Sequence, residues 1–389
     1  MALIDDTKRI LADLVAFPTV SADSNLELIA YAADRLGACG ATIKIMRDES
    51  GQKANLFATI GPDRDGGVVL CGHTDVVPAE EQDWFSDPFT AREADGRIYG
   101  RGTCDMKGFV AAAMAVAPHF SRQQLVRPVH IALTYDEEVG CLGARRLSEE
   151  LEQMAFAPVI AIVGEPTGMR PVEGHKGCFE YTTVFTGLKG HGSQPDAGVN
   201  AVEYAIRYAA RLIKLAERLK SNPADPRFAP PWTTLQLGRV DGGIARNVIA
   251  GHCILEWEMR PLRAQDAADV RSDLDAYCET VLLPAMRAVY PGASIETEII
   301  GEVRGLEPID DSEALRLVAG LTGAADAELV SFGTEAGLYQ ALGMSTVVCG
   351  PGSISEAHKP DEFVEIAQLQ ACLDMLTGLS RKLSEDKDA

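Results

Sequence analysis

Basic residues are scarce in this 389-residue chain: 36 Lys and Arg stand against 57 Asp and Glu, a formal charge of −21. That balance repels phosphate backbones and anionic membrane surfaces, so neither nucleic acid nor a membrane is an expected partner. Long apolar runs are missing too. No uncharged stretch reaches the roughly 18 residues a membrane-spanning helix needs. The first residues, Met1-Ala2-Leu3-Ile4-Asp5-Asp6, carry acids where an export signal carries bases, and the expectation is a cytoplasmic protein. C-x-x-C spacings are absent among the nine cysteines, which excludes a disulfide framework and fits a reducing compartment. Repeats and low-complexity segments are also lacking, apart from a polar tail over 384–389 expected to fray.

What is present is ordinary globular material, 46% apolar and 24% charged, enough for two or three domains at about 100–200 residues each. Apolar stripes predict helices over 4–15 and 26–36, ended by Phe17-Pro18 and by Gly37 with Gly40. Strands follow at 42–46, 56–60, 68–71, 129–134 and 159–163, with a small-residue helix at 108–117. Strands alternating with helices indicate an α/β domain with a mainly parallel mixed sheet. Beyond Gly174 the order changes to strand 179–185, helix 201–219, strands 234–240 and 247–259, helix 266–283 and strand 294–300. That βαββαβ order is ferredoxin-like. After about Val303, helices at 312–321 and 366–383 and a strand at 346–349 resume the first pattern. We therefore expect a discontinuous catalytic domain, 1–175 with 303–389, and an inserted lid and dimerisation domain at 176–302.

Metal-ligand residue types cluster where the strands end, the usual ligand-binding edge of an open parallel sheet. Strand 68–71 runs into His73-Thr74-Asp75, whose spacing lets the aspartate turn back to the imidazole and fix its tautomer. The turn Gly100 to Gly108 presents Asp105 just before a helix, where a helix cap is the plain alternative. Strand 129–134 ends in Tyr135-Asp136-Glu137-Glu138, and adjacent side chains in extended backbone point to opposite sides. One acid could bind metal while its neighbour holds a water. Strand 159–163 leads to Glu165, and strand 346–349 leads through Gly350-Pro351-Gly352 to His358. His73, Asp105, Glu138, Glu165 and His358 over-supply one cation but suit two divalent ions sharing a carboxylate. Two imidazoles favour zinc, with cobalt or manganese as alternatives.

In order along the chain, His73-Thr74-Asp75-Val76-Val77-Pro78, Gly102 to Gly108, Glu137-Glu138, Gly164-Glu165-Pro166-Thr167 and His358 resemble the di-zinc amidohydrolase and peptidase family. The resemblance spans nearly the whole chain and implies a zinc-peptidase-like fold. It also implies roles: His73 and Glu165 on one zinc, Glu138 and His358 on the other, Asp105 bridging, Asp75 orienting His73, and Glu137 as general base toward a water acidified by the cations. A cis Asp105-Met106 peptide comes with it. In the inserted domain, Gly190-His191-Gly192-Ser193 resembles the segment whose histidine holds the oxyanion, in dimeric members at the partner's site. Asn247 and Arg260 resemble the residues that grip the substrate carboxylate; a structural salt bridge is the alternative for Arg260.

Segments 171–177, 333–336 and 350–362 carry the resemblance to the branch acting on an N-acetylated diamino acid, rather than to the desuccinylases. Such a small-molecule N-acyl amino acid bears one carboxylate and one side-chain ammonium. Glu335, flanked by Gly333-Thr334, is the candidate acid for the ammonium, with a structural hydrogen-bonding role as its alternative.

Overall fold

The computed structural model describes residues 2–154, 157–221 and 225–385, so residues 386–389 of the expected tail lie outside the described residues. Two compact units make up the chain. One joins Met1–Gly174, Pro308–Leu329 and Thr334–Ala389; the other joins His175–Glu307 and Val330–Gly333.

The first unit is built on an eight-stranded sheet in the order Thr42–Arg47, Ala54–Ile60, Val129–Thr134, Gly67–His73, Pro158–Pro166, Ser345–Gly350, Val172–His175, Glu328–Val330. Its four middle strands, from Val129–Thr134 to Ser345–Gly350, are mutually parallel. Antiparallel strands flank them. Every residue of Gly67–His73 and Val129–Thr134 is buried, which accounts for apolar runs without alternation. Helix Lys107–Arg122 is buried along Phe109 to Ala117, and its alanines let it pack closely against Leu3–Val15 and Ile366–Ser384. Parallel strands end on one side of the sheet. That common polarity delivers His73, the Glu137-Glu138 turn, Glu165 and the His358 loop to one edge.

The second unit has a four-stranded antiparallel sheet ordered Thr234–Gly242, His252–Arg260, Cys178–Thr186, Ser294–Val303. Helices Ala201–Lys220 and Ala264–Tyr277 cover it through Tyr208, Leu212, Leu215, Val270 and Leu274, the ferredoxin-like arrangement. Asn200 caps the first of these, accepting from the backbone N–H of Val202 and Glu203.

Two elements differ from the sequence reading. The strand expected over 247–259 is two, Val248–Ile249 and His252–Arg260. The intervening carbonyls of Ala250 and Gly251 accept from Ala201 N at 2.7 Å and Gly187 N at 2.9 Å, which takes them out of the ladder. The helix expected over 266–283 passes at Cys278–Leu282 through a π turn before Pro284, whose ring cannot donate to the preceding turn.

Candidate metal centre

His73 ends its strand 1% exposed, its Nδ1 2.9 Å from the Asp75 carbonyl oxygen. A carbonyl only accepts, so Nδ1 carries the proton and Nε2 is the nitrogen available as a ligand. Nε2 lies 3.0 Å from Asp105 Oδ1 and 3.7 Å from Glu165 Oε1. Asp105 offers its other oxygen, Oδ2, to His358 Nε2 at 3.2 Å, and that nitrogen is 3.1 Å from Glu138 Oε2. One carboxylate thus spans two imidazoles. The Asp105-Met106 peptide is cis, and the N-cap of the following helix is Met106 without a side-chain capping bond, so Asp105 is not a helix cap. Ligand atoms of His73, Glu137 and Glu165 fall within 4.8 Å of one another, as do those of His73, Asp105 and Glu138.

Asp75 turns back to the His73 ring as expected, though by its main chain. It meets the imidazole through its carbonyl, while its carboxylate Oδ1 stays 3.6 Å from Nδ1. That carboxylate instead accepts from the backbone N–H of Glu137 at 3.1 Å and of Glu138 at 3.3 Å, and from Ser21 Oγ at 2.7 Å. Asp75 therefore pins the turn that carries both acids. Glu335 takes up the second of its two expected roles, structural hydrogen bonding. It is fully buried, its Oε2 accepting from Thr134 Oγ1 at 2.8 Å and its Oε1 from Tyr339 Oη at 3.2 Å, so both oxygens are committed to the core rather than open to a substrate.

Electrostatics define what the cluster lacks. Burial, and then the Asp105 charge, push the Glu165 carboxyl well above the usual range; burial with the neighbouring acids does the same to Glu137 and, less, to Glu138. Burial also opposes ionisation of Asp105, but hydrogen bonds from His358 and His73 outweigh it and hold its carboxyl below the usual range. Hydrogen bonds to Asp105 and Glu138 push His358 up to about 10. For His73, burial favours the neutral ring, and the Asp105 and Glu165 carboxylates overcome it.

His191, Asn247 and Arg260 belong to the second unit. His191 sits on a short ribbon, paired with Val248. The Ser193 N–H donates to His191 Nδ1 at 3.2 Å, so in the neutral ring the proton is on Nε2, the outward donor. Gly192 is required there, since a Cβ would meet the Asn247 backbone at 2.9 Å. Arg260 forks onto Glu258 Oε2 through Nε at 3.2 Å and Nη2 at 2.9 Å.

Sequence reasoning gave no structural role to Arg101 and missed the role of Glu362, a buried ion pair at 2.8 Å beneath the Asp105 turn. The signal was available in the turn itself. Successive backbone N–H groups in a glycine-rich turn form a concavity that calls for an anion.

Compared with known proteins, residues 69–382 match the model of peptidase family M20/M25/M40. The chain belongs to this family. As an M20 member it is a metal-dependent hydrolase acting on amide bonds. It is 37% identical over 373 residues to an acetylornithine deacetylase of Proteus mirabilis, covering 94% of each chain. Identity is 35% over 371 residues to the enzyme of that name in Pectobacterium atrosepticum, again 94% of each. Among solved structures, an M20-family metallo-carboxypeptidase of Sulfolobus solfataricus superposes with a TM-score of 0.73 at 16% identity, covering 98% of this chain and 99% of that one. A dinuclear metal-binding M20 peptidase of Bacillus subtilis gives 0.66 at 17% identity, covering 97% and 98%. These last two share the fold.

The donor set fits the metal dependence of M20 proteins. Among the described residues, the ion-pair partners of Asp105, Glu138 and Glu165 are the two imidazoles, with Glu137 a further acid beside them. Four crowded carboxylates against two imidazoles leave negative charge that burial penalises and a divalent cation offsets. Mixed imidazole and carboxylate donors are those that zinc, cobalt and manganese accept.

Proposed function

We propose that this M20 chain hydrolyses N2-acetyl-L-ornithine to L-ornithine and acetate, a step of arginine biosynthesis. The observation that carries the substrate is the 35–37% identity, over 92–94% of the chain, to acetylornithine deacetylases. In this reading two divalent cations, zinc in the first place, are held by His73 and Glu165, by Glu138 and His358, and by Asp105 between them. Bound there, they supply Lewis acidity that polarises the amide carbonyl and acidifies a water. Glu137 takes the proton from the attacking water and passes it to the departing amine nitrogen. Asp75 keeps Glu137 on its turn by accepting its backbone N–H at 3.1 Å.

The second unit serves as lid and as the homodimer surface. In that dimer His191 Nε2–H serves the partner subunit's site, donating to the oxyanion that develops on the amide oxygen. Arg260 and Asn247 hold the α-carboxylate, Arg260 turning part of its fork from Glu258 to the substrate. The cytoplasm is the proposed location, consistent with nine free cysteines.

The test is the ratio of kcat/KM for N-acetylornithine and N-succinyl-diaminopimelate, with N-acetylmethionine and a glutamyl dipeptide as further substrates, on zinc- or cobalt-loaded protein. N-acetylornithine is expected to lead. A higher value for any other substrate removes the assignment.

A further inference from the structure

Asp105 and His358 lie on loops that meet over one buried ion pair. Glu362 is 1% exposed, and each of its oxygens takes two donors. Oε1 accepts from the backbone N–H of Cys104 at 2.9 Å and of Asp105 at 3.0 Å; Oε2 accepts from Gly102 N at 3.0 Å and Arg101 Nη1 at 2.8 Å. The carboxylate thus fills the concavity of the turn that ends in the bridging aspartate. Arg101, also 1% exposed, reaches the other loop, donating through Nη1 to the Lys359 carbonyl at 3.2 Å. Its Nη2 donates to Gln82 Oε1 at 2.6 Å and to the Pro78 carbonyl at 3.3 Å, and its guanidinium lies over the Trp84 ring at 4.9 Å. Gln82 Nε2 in turn donates to the His358 carbonyl at 3.2 Å.

A buried ion pair is on its own poor support for stability, because desolvation absorbs most of its Coulombic gain. Its geometry here serves another end. Three of the four bonds to Glu362 come from backbone N–H groups of the Asp105 turn, those of Gly102, Cys104 and Asp105, while Arg101 holds the Lys359 carbonyl and its partner Gln82 the His358 carbonyl. We propose that Glu362, clamped by Arg101, is a positioning residue that presets the spacing of Asp105 and His358 and thereby sets the affinity for divalent cations. The inference rests on the metal reading above and deepens it.

Glu362→Gln tests it with almost no change of shape. Whichever oxygen the amide NH2 replaces, it confronts two donors, so two bonds are lost. The full chain, stripped with EDTA, is titrated with Co²⁺ by calorimetry and by visible absorption, well below its melting temperature. The variant is expected to bind about 10–100-fold more weakly and to give shifted absorption bands. A merely stabilising pair would lower Tm and leave affinity and spectrum alone; that result overturns the proposal. Should Glu362→Gln not fold, Arg101→Lys is read the same way: an ammonium cannot reach Glu362, Gln82 and two carbonyls together, and wild-type affinity would overturn the proposal. Wild-type protein that takes up no Co²⁺ at all overturns the metal reading itself, and this inference with it.

Discussion

Glu137 and Glu138 are sequence neighbours with different assigned work, and replacing each in turn by alanine separates the two. Glu138 Oε2 meets His358 Nε2 at 3.1 Å, whereas no ion pair ties Glu137 to either imidazole among the described residues. Glu137→Ala removes the proton carrier and leaves His73, Glu165, Asp105, Glu138 and His358 in place. General-base work of this kind accounts for about 10²–10⁴ in rate, or about 2.7–5.5 kcal/mol of barrier. The expected outcome is a fall of kcat by that factor with metal content near wild type by atomic absorption. The metal-free variant should melt no lower than wild type, because the lost carboxylate was crowded by Glu138 and Asp105. Glu138→Ala should instead lose metal. If Glu137→Ala emptied the site while Glu138→Ala kept it, the two roles are exchanged; if Glu137→Ala kept more than about a tenth of kcat, the base assignment is refuted.

His191→Ala should lower kcat about 10²–10³-fold with unchanged metal content, the cost of one oxyanion donor; wild-type rates would remove that role. Glu335→Gln should shift Tm but leave the preference for N-acetylornithine over N-acetylmethionine intact, since both Glu335 oxygens are committed to Thr134 and Tyr339; a collapsed preference would put this acid on the substrate. EDTA-stripped protein should lose Tm between about pH 5 and about pH 8. The folded carboxyls of Glu137 and Glu165 titrate above the ordinary 4.5, so the folded chain holds protons the unfolded chain has lost, and stability falls as pH rises past that value. The imidazoles act in the same direction: raised from 6.5, to about 10 for His358, they contribute stability below 6.5 that is lost as pH climbs through the folded value. Asp105, lowered from 3.8, acts oppositely but only in acid. A Tm that rose over that interval would show that the charge balance of the cluster is misjudged.

The clustering of His73, Glu137, Glu138 and Glu165 was legible because each follows a buried apolar strand, and buried parallel strands must end at a common edge. His73, Glu165 and the acids after Thr134 were therefore placed by local pattern alone. Glu335 was not. A loop acid between small residues reads the same whether it faces solvent or, as here, is buried under Tyr339, and only tertiary packing distinguishes the cases. Arg101 and Glu362 stand 261 positions apart, so no local period links them, although the N–H-rich turn asked for an anion. The break at Ala250 and Gly251 was hidden for a similar reason, since their carbonyls are taken by Ala201 and Gly187, 49 and 64 residues upstream.

Two opposing demands meet at this centre, and the structure answers them with different acids. Charge that attracts a cation must exceed what the protein itself neutralises, and four acids, Asp105, Glu137, Glu138 and Glu165, share two imidazoles here, at a cost to the metal-free fold in which burial raises the carboxyls of Glu137, Glu138 and Glu165. Geometry that selects a cation must be fixed beforehand, which requires bonds that do not use up the ligand atoms. Asp75 meets that need by holding the backbone of Glu137 and Glu138, and Glu362 by holding the backbone at Asp105. Both act on main-chain N–H groups and leave the side-chain oxygens free. In the proposed reading a bound cation would recover that electrostatic cost on loops already held in place, which would link binding energy to folding energy through the crowded acids.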